Sequence, residues 1–117
     1  MIDIQAVLSG YLGCALWTAT NEEGEPLDQK FNVDDFFEES RSAALQVCQR
    51  FCSENQDDLQ GIDPVQIGHD LWLTRNGHGS GFWDRGLGEQ GERLTQAASS
   101  LGEASVTESG GQLHVDS

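Results

Sequence analysis

The dipeptide Asn76-Gly77 stands between "DLWLTR" at 70–75 and "GFWDR" at 81–85, two runs of strand-forming residues. Asn-Gly between such runs is the strongest short-range signal of a β-hairpin, because a type I′ turn needs positive φ at both central positions. An extended chain sets His69, Leu71, Leu73 and Arg75 on one face and Asp70, Trp72 and Thr74 on the other. Gly79 and Gly81 follow the dipeptide, so the connection can exceed two residues. The expectation for residues 70–85 is a β-hairpin or a strand–loop–strand.

The flanking segments read as helices and one smaller hairpin. Ile4, Val7, Leu8, Tyr11, Leu12 and Ala15 repeat at helical spacing over residues 3–19. Gly10 and Gly13 weaken that helix by about 1 kcal/mol each relative to Ala, and let another element approach closely. A second helix is expected over residues 35–54, capped by Asp34 or Asp35, with Phe37, Ala44, Val47, Cys48 and Phe51 inward. Asp63-Pro64 marks the start of one short helical turn. A third helix spans about 88–101, with Gly102 to end it, and "ASVTE", "SGG", "QLHV" reads as a second hairpin. Nothing divides the 117 residues, which gives one α+β domain: about three helices packed on a small, mostly antiparallel sheet.

Charge narrows the function. Twenty Asp and Glu face six Lys and Arg, for a net charge of −14. Such a field repels phosphate backbones and anionic lipid surfaces and attracts basic ones, so direct nucleic-acid binding and membrane partners are not expected. No apolar run approaches the roughly 20 residues of a membrane span. The N-terminus "MIDIQAV" lacks the basic region of a signal peptide, and Cys14, Cys48 and Cys52 are odd in number; together they predict a cytoplasmic protein with reduced thiols. Neither a cofactor nor a disulfide is expected.

Residues 69–86, "HDLWLTRNGHGSGFWDRG", hold two Trp, two His, two Arg, two Asp and four Gly. His69, Asp70, His78 and Asp84 are metal-ligand types, but no HxxxH or HxH spacing accompanies them. His69 or His78 oriented by Asp84 has the pKa of a general base, but no activated nucleophile or phosphate loop is present. The structural alternative gives the glycines to tight turns, Trp72, Phe82 and Trp83 to the core, and Arg75 and Arg85 to ion pairs with Asp70 or Asp84. Asn76 belongs to the turn in every version. No metal site and no enzymatic activity is expected.

"HDLWLTRNGHGSGFWDRGLGE", residues 69–89, resembles a segment of a family of small, acidic, phage-encoded proteins of uncharacterised function. The resemblance extends more loosely over 11–30, through "CALW" at Cys14–Trp17 and "GEPLD" at Gly24–Asp28, while the tail "TESGGQLHVDS" departs from it. It implies a context, a phage protein acting in a bacterial cytoplasm, and supplies no catalytic residues. Glu22, Glu23, Glu25, Asp28, Asp34, Asp35, Glu38 and Glu39 crowd into 18 positions with Lys30 as the single base. Asp35, Glu38 and Glu39 at i, i+3 and i+4 would neighbour one another on a helix. The expected function is inhibition of a basic host or anti-phage defence protein by an acidic face that mimics nucleic acid. The alternative is a small enzyme or ligand binder built around residues 69–85. A bland alternative makes the acids a solubilising surface.

Overall fold

A computed structural model of the chain describes residues 2–20, 24–77, 82 and 88–116. Among them are four α-helices and one two-stranded antiparallel sheet. The class is α+β as expected, with one helix more and one hairpin fewer than the sequence suggested.

The first helix, α1 (Ile4–Thr18), starts where Asp3 accepts a hydrogen bond from the Ala6 amide at 3.2 Å. Its Val7, Leu8, Tyr11, Leu12, Cys14, Ala15 and Leu16 are all buried, so it is enclosed on most sides and exposes a stripe containing Gln5, Ser9 and Trp17. Helix α2 (Glu38–Glu54) buries Ser40, Ala44, Cys48, Phe51 and Cys52 at i, i+4, i+8, i+11 and i+12. Its start differs from expectation. Neither Asp34 nor Asp35 caps it; the N-cap is Phe37, with no side-chain cap. Both aspartates belong to a separate 3-10 turn at Val33–Asp35, closed by a capping box in which the Asn32 side chain accepts from the Asp34 amide and Asp35 accepts from the Asn32 amide, each at 2.8 Å. Asn32 is the better-placed cap, and the extended Phe36 and Phe37 part the turn from the helix.

The largest correction concerns residues 70–75. They are not a strand. Pro64–Arg75 is one continuous helix, α3, opened by Asp63 accepting from the Gln66 amide at 3.2 Å and by Pro64 in the first turn. Ile67, Gly68 and all of Asp70–Arg75 are buried. A helix enclosed on nearly every side shows no one-sided stripe, and the short apolar run in "DLWLTR" can be taken for a strand for that reason. Asn76-Gly77 ends this helix. Asn76 donates its amide to the Trp72 carbonyl at 3.2 Å, Gly77 donates to Thr74 at 3.3 Å, and Gly77 takes φ +64°. The positive φ foreseen for Gly77 is present, but at a helix end. The return strand expected at "GFWDR" lies outside the described residues apart from Phe82. That ring is fully buried and stacks on Phe51 at 5.6 Å.

Helix α4 (Glu89–Ser99) buries Gly91, Leu94 and Ala98, and Gly102 at φ +79° follows its end. The smaller hairpin is as expected: β1 (Ser105–Ser109) pairs antiparallel with β2 (Gln112–Asp116), with Val106 opposite Val115. Its turn is Gly110-Gly111, at φ +60° and +85°, as a two-residue connection requires. Phe36 bridges Leu113, Phe37 donates its amide to the Leu113 carbonyl at 2.8 Å, and its ring stacks on His114 at 4.1 Å. The start of α2 is thus fixed by β2.

The centre of the core is the crossing of α1 and α3. A Cβ added to Gly68 would stand 1.9 Å from the Val7 carbonyl oxygen and 2.6 Å from the Tyr11 nitrogen; one on Gly10 would stand 2.0 Å from the Val65 carbonyl oxygen. Backbone touches backbone there, so the expected close approach at Gly10 is real. Above the crossing, Tyr11 and Trp72 meet edge to face at 5.2 Å, and the Trp72 indole N–H donates to Thr18 Oγ1 at 2.9 Å.

Candidate functional site

The acidic residues fall into three groups. Glu22 and Glu23 lie outside the described residues. Asp28, Asp34, Glu38 and Glu39 are exposed. Glu25 and Asp35 are half-buried, and the Asp35 carboxylate is engaged by the Asn32 amide. The helical neighbourhood expected of Asp35, Glu38 and Glu39 does not form, because Asp35 precedes the two extended residues. Glu38 and Glu39 instead begin α2, where the positive end of the helix dipole favours carboxylates. They edge a shallow groove of about 430 Å³ with Ser42, Ala43 and Gln46.

The cations are mostly occupied within the chain. Arg93 grips Asp58 with Nε and Nη2, the shortest contact being 2.6 Å, and this pairing pulls the Asp58 carboxyl below its usual range. Arg50 reaches Glu54 at 3.4 Å, and Arg41 leans towards Asp34 at 3.9 Å. Arg75 is buried. Among the described residues this leaves Lys30 as the only cation that is neither buried nor beside a carboxylate.

The dense segment divides between surface and interior. His69 is half-buried on the outer side of α3 and stacks on Trp17 of α1, ring centroids 5.9 Å apart and planes 29° from parallel. Asp70 is 1% exposed and accepts from the Gln66 side-chain amide at 2.8 Å. Arg75, 5% exposed, does not form the expected pair with Asp70. It donates to Tyr11 Oη at 2.8 Å, to the Gly102 carbonyl at 2.8 Å and to the Leu101 carbonyl at 3.1 Å. Helical geometry explains the difference: five residues along a helix is about 140° around it, so positions 70 and 75 face different neighbours. Asn76 Oδ1 accepts from the Ala104 amide at 2.8 Å. Arg75 and Asn76 therefore tie the α4–β1 connection to α1 and α3, a role visible in sequence only as two polar residues after an apolar run. His78, Asp84 and Arg85 lie outside the described residues. Among the described residues, no three His, Cys, Asp or Glu side chains come together as a metal-ligand group.

All three cysteines are buried and free. Removal from water pushes the Cys14 and Cys48 thiols up to about 12 and Cys52 to about 11, with Asp70 adding to the effect at Cys14. Burial raises Tyr11 as well, against the opposing pull of Arg75. A group whose pKa is raised by folding keeps its proton in the folded chain while the unfolded chain loses it. The stability these groups contribute is complete below about pH 9 and is lost as pH rises towards 12. Each thiol costs up to about 1.4 kcal/mol per pH unit across that window. Thermal melts should therefore show a steep fall in Tm above about pH 9, continuing towards pH 11, made shallower by Cys48→Ala; a flat profile refutes the burial of the thiols.

No helix among the described residues is long and apolar enough to cross a membrane. No protein-family model, no curated protein and no solved structure matches the chain.

Proposed function

We propose that this chain is an acidic binding protein that occupies the basic, nucleic-acid-binding surface of a partner protein. The observation that carries this reading is the fate of the cations. Four of the five described ones are buried or set against carboxylates, while Asp28, Glu38 and Glu39 face solvent with no described cation at ion-pair distance, and Asp34 is exposed with Arg41 3.9 Å away. The net charge of −14, with the cations already subtracted, means that acids outnumber bases by more than three to one. Fixed carboxylates on a rigid helix start offer a partner's Lys and Arg a substitute for phosphates without the cost of ordering a flexible chain. The partner class is a basic protein of a bacterial host or of its defence against phage, met in the cytoplasm. The interior placement of Asp70 and Arg75 weighs against a catalytic pocket built from the described part of residues 69–85.

The test is competition. Protein captured from bacterial lysate at low salt should release its DNA or RNA when this chain is added, and the effect should fade with salt, because exposed charges are screened beyond about 8 Å at physiological ionic strength. Reversing Asp34, Glu38 and Glu39 to Lys should abolish competition and leave the fold intact. Asp35 is left unchanged in this design because its carboxylate closes the Asn32 turn. Competition that ignores both salt and the three reversals overturns the proposal.

A further inference from the structure

Trp17 is 61% exposed, the more exposed of the two large hydrophobic residues open to solvent among those described. It stands in the last turn of α1, a turn that contains no basic residue. The carbonyls at the end of α1 therefore present their partial negative charge beside the indole with no basic residue of that turn to neutralise it. The loop that follows turns back on this end. Thr20 bridges Pro26, and the Leu27 amide donates to the Ala19 carbonyl at 3.0 Å, which returns Glu25 to the neighbourhood of the helix end. On the other side, the His69 ring lies against Trp17 at 29° and braces its plane. A flat indole held in place, next to a negative helix end, on a strongly acidic protein, is a poor site for an anion or a purely apolar partner. Its chemistry suits a planar cation. We propose that the Trp17–His69 pair is a seat for an arginine side chain of the basic partner, whose guanidinium stacks on the exposed indole face while the helix end and the chain's net negative charge draw it in. This rests on the acidic-binding reading and names a contact within it that the acids alone do not supply. Trp and Arg are also the residues most often found at the energetic centre of an interface.

The test uses the full chain and two short peptides, oligoarginine and oligolysine of equal length, titrated at low salt. Binding is read by calorimetry and by the indole N–H resonances in heteronuclear NMR. Oligoarginine should shift the Trp17 indole resonance and leave that of buried Trp72 in place, and it should bind more tightly than oligolysine. Trp17→Ala should weaken oligoarginine several-fold to about thirtyfold, the range of a desolvated cation–π contact, and remove the preference over oligolysine. An unshifted Trp17 indole in the unmodified chain, or unchanged oligoarginine affinity in folded Trp17→Ala, overturns the seat. If the Asp34, Glu38 and Glu39 reversals abolish peptide binding while Trp17→Ala does not, the seat falls and the acidic reading stands. If Trp17→Ala weakens binding and the reversals do not, the seat stands and the acidic face falls.

Discussion

Gly68→Ala should destabilise the protein by about 3 kcal/mol, although alanine is the better helix former by about 1 kcal/mol. The added methyl would meet the Val7 carbonyl oxygen at 1.9 Å and the Tyr11 nitrogen at 2.6 Å, and neither is a flexible side chain that can swing aside. The two helices must move apart, which loosens the Tyr11–Trp72 contact and the Trp72–Thr18 hydrogen bond stacked on the crossing. Gly10→Ala should do the same through the Val65 carbonyl. Gly13→Ala is the internal control. It lies in the same helix, and a Cβ there meets nothing within 4 Å. That change should raise stability by up to about 1 kcal/mol. Urea denaturation of the three variants decides the matter; if Gly68→Ala is as stable as the parent, the backbone contact of α1 with α3 is refuted.

Arg75→Met should cost about 3–5 kcal/mol, because it removes three charge-assisted hydrogen bonds and leaves the Tyr11 hydroxyl and the Leu101 and Gly102 carbonyls without that donor. The apolar stem of methionine preserves much of the volume, so the loss reports the guanidinium. A double-mutant cycle with Tyr11→Phe isolates one arm of the hub. Coupling on the order of 1 kcal/mol is expected, and coupling indistinguishable from zero refutes the Arg75–Tyr11 bond.

The sequence disclosed those elements whose signals are local. α1 and α4 follow from apolar spacing, and the β1–β2 hairpin from two glycines between short runs. The positive φ values of Gly102 and Gly77 follow from glycine's freedom alone. What it disguised was α3. The short run Leu71-Trp72-Leu73-Thr74 ahead of Asn76-Gly77 imitates a strand leading into a turn, and the contrary evidence, a helix buried on nearly every side, exists only once α1 is in place. The partners of Arg75 were illegible for the same reason: two are main-chain carbonyls at 101 and 102, and an oxygen of that kind has no letter in the sequence. Of the candidate site, the exposure of Glu38 and Glu39 was readable from their place in the first turn of an amphipathic helix. The Trp17–His69 stack was not, since it joins two helices whose pairing the hairpin reading of 70–85 had excluded.

The joining of α1 to α3 also sets a schedule. Thr18 and Trp72 are 54 positions apart, and Tyr11 and Arg75 are 64 apart. As the chain leaves a ribosome, α1 emerges first, with apolar side chains around most of its girth and the helix that will enclose it still untranslated. At roughly 5–20 residues per second it waits several seconds in that condition. Loop closure over such a span adds a further entropic toll, though one that grows only logarithmically with length. The acid-rich segment that follows α1 is made during this wait, and it carries its charge before any tertiary contact exists. It can hold exposed nascent chains apart by simple repulsion until α3 arrives. Charge repulsion of this kind opposes self-association while α1 is still uncovered.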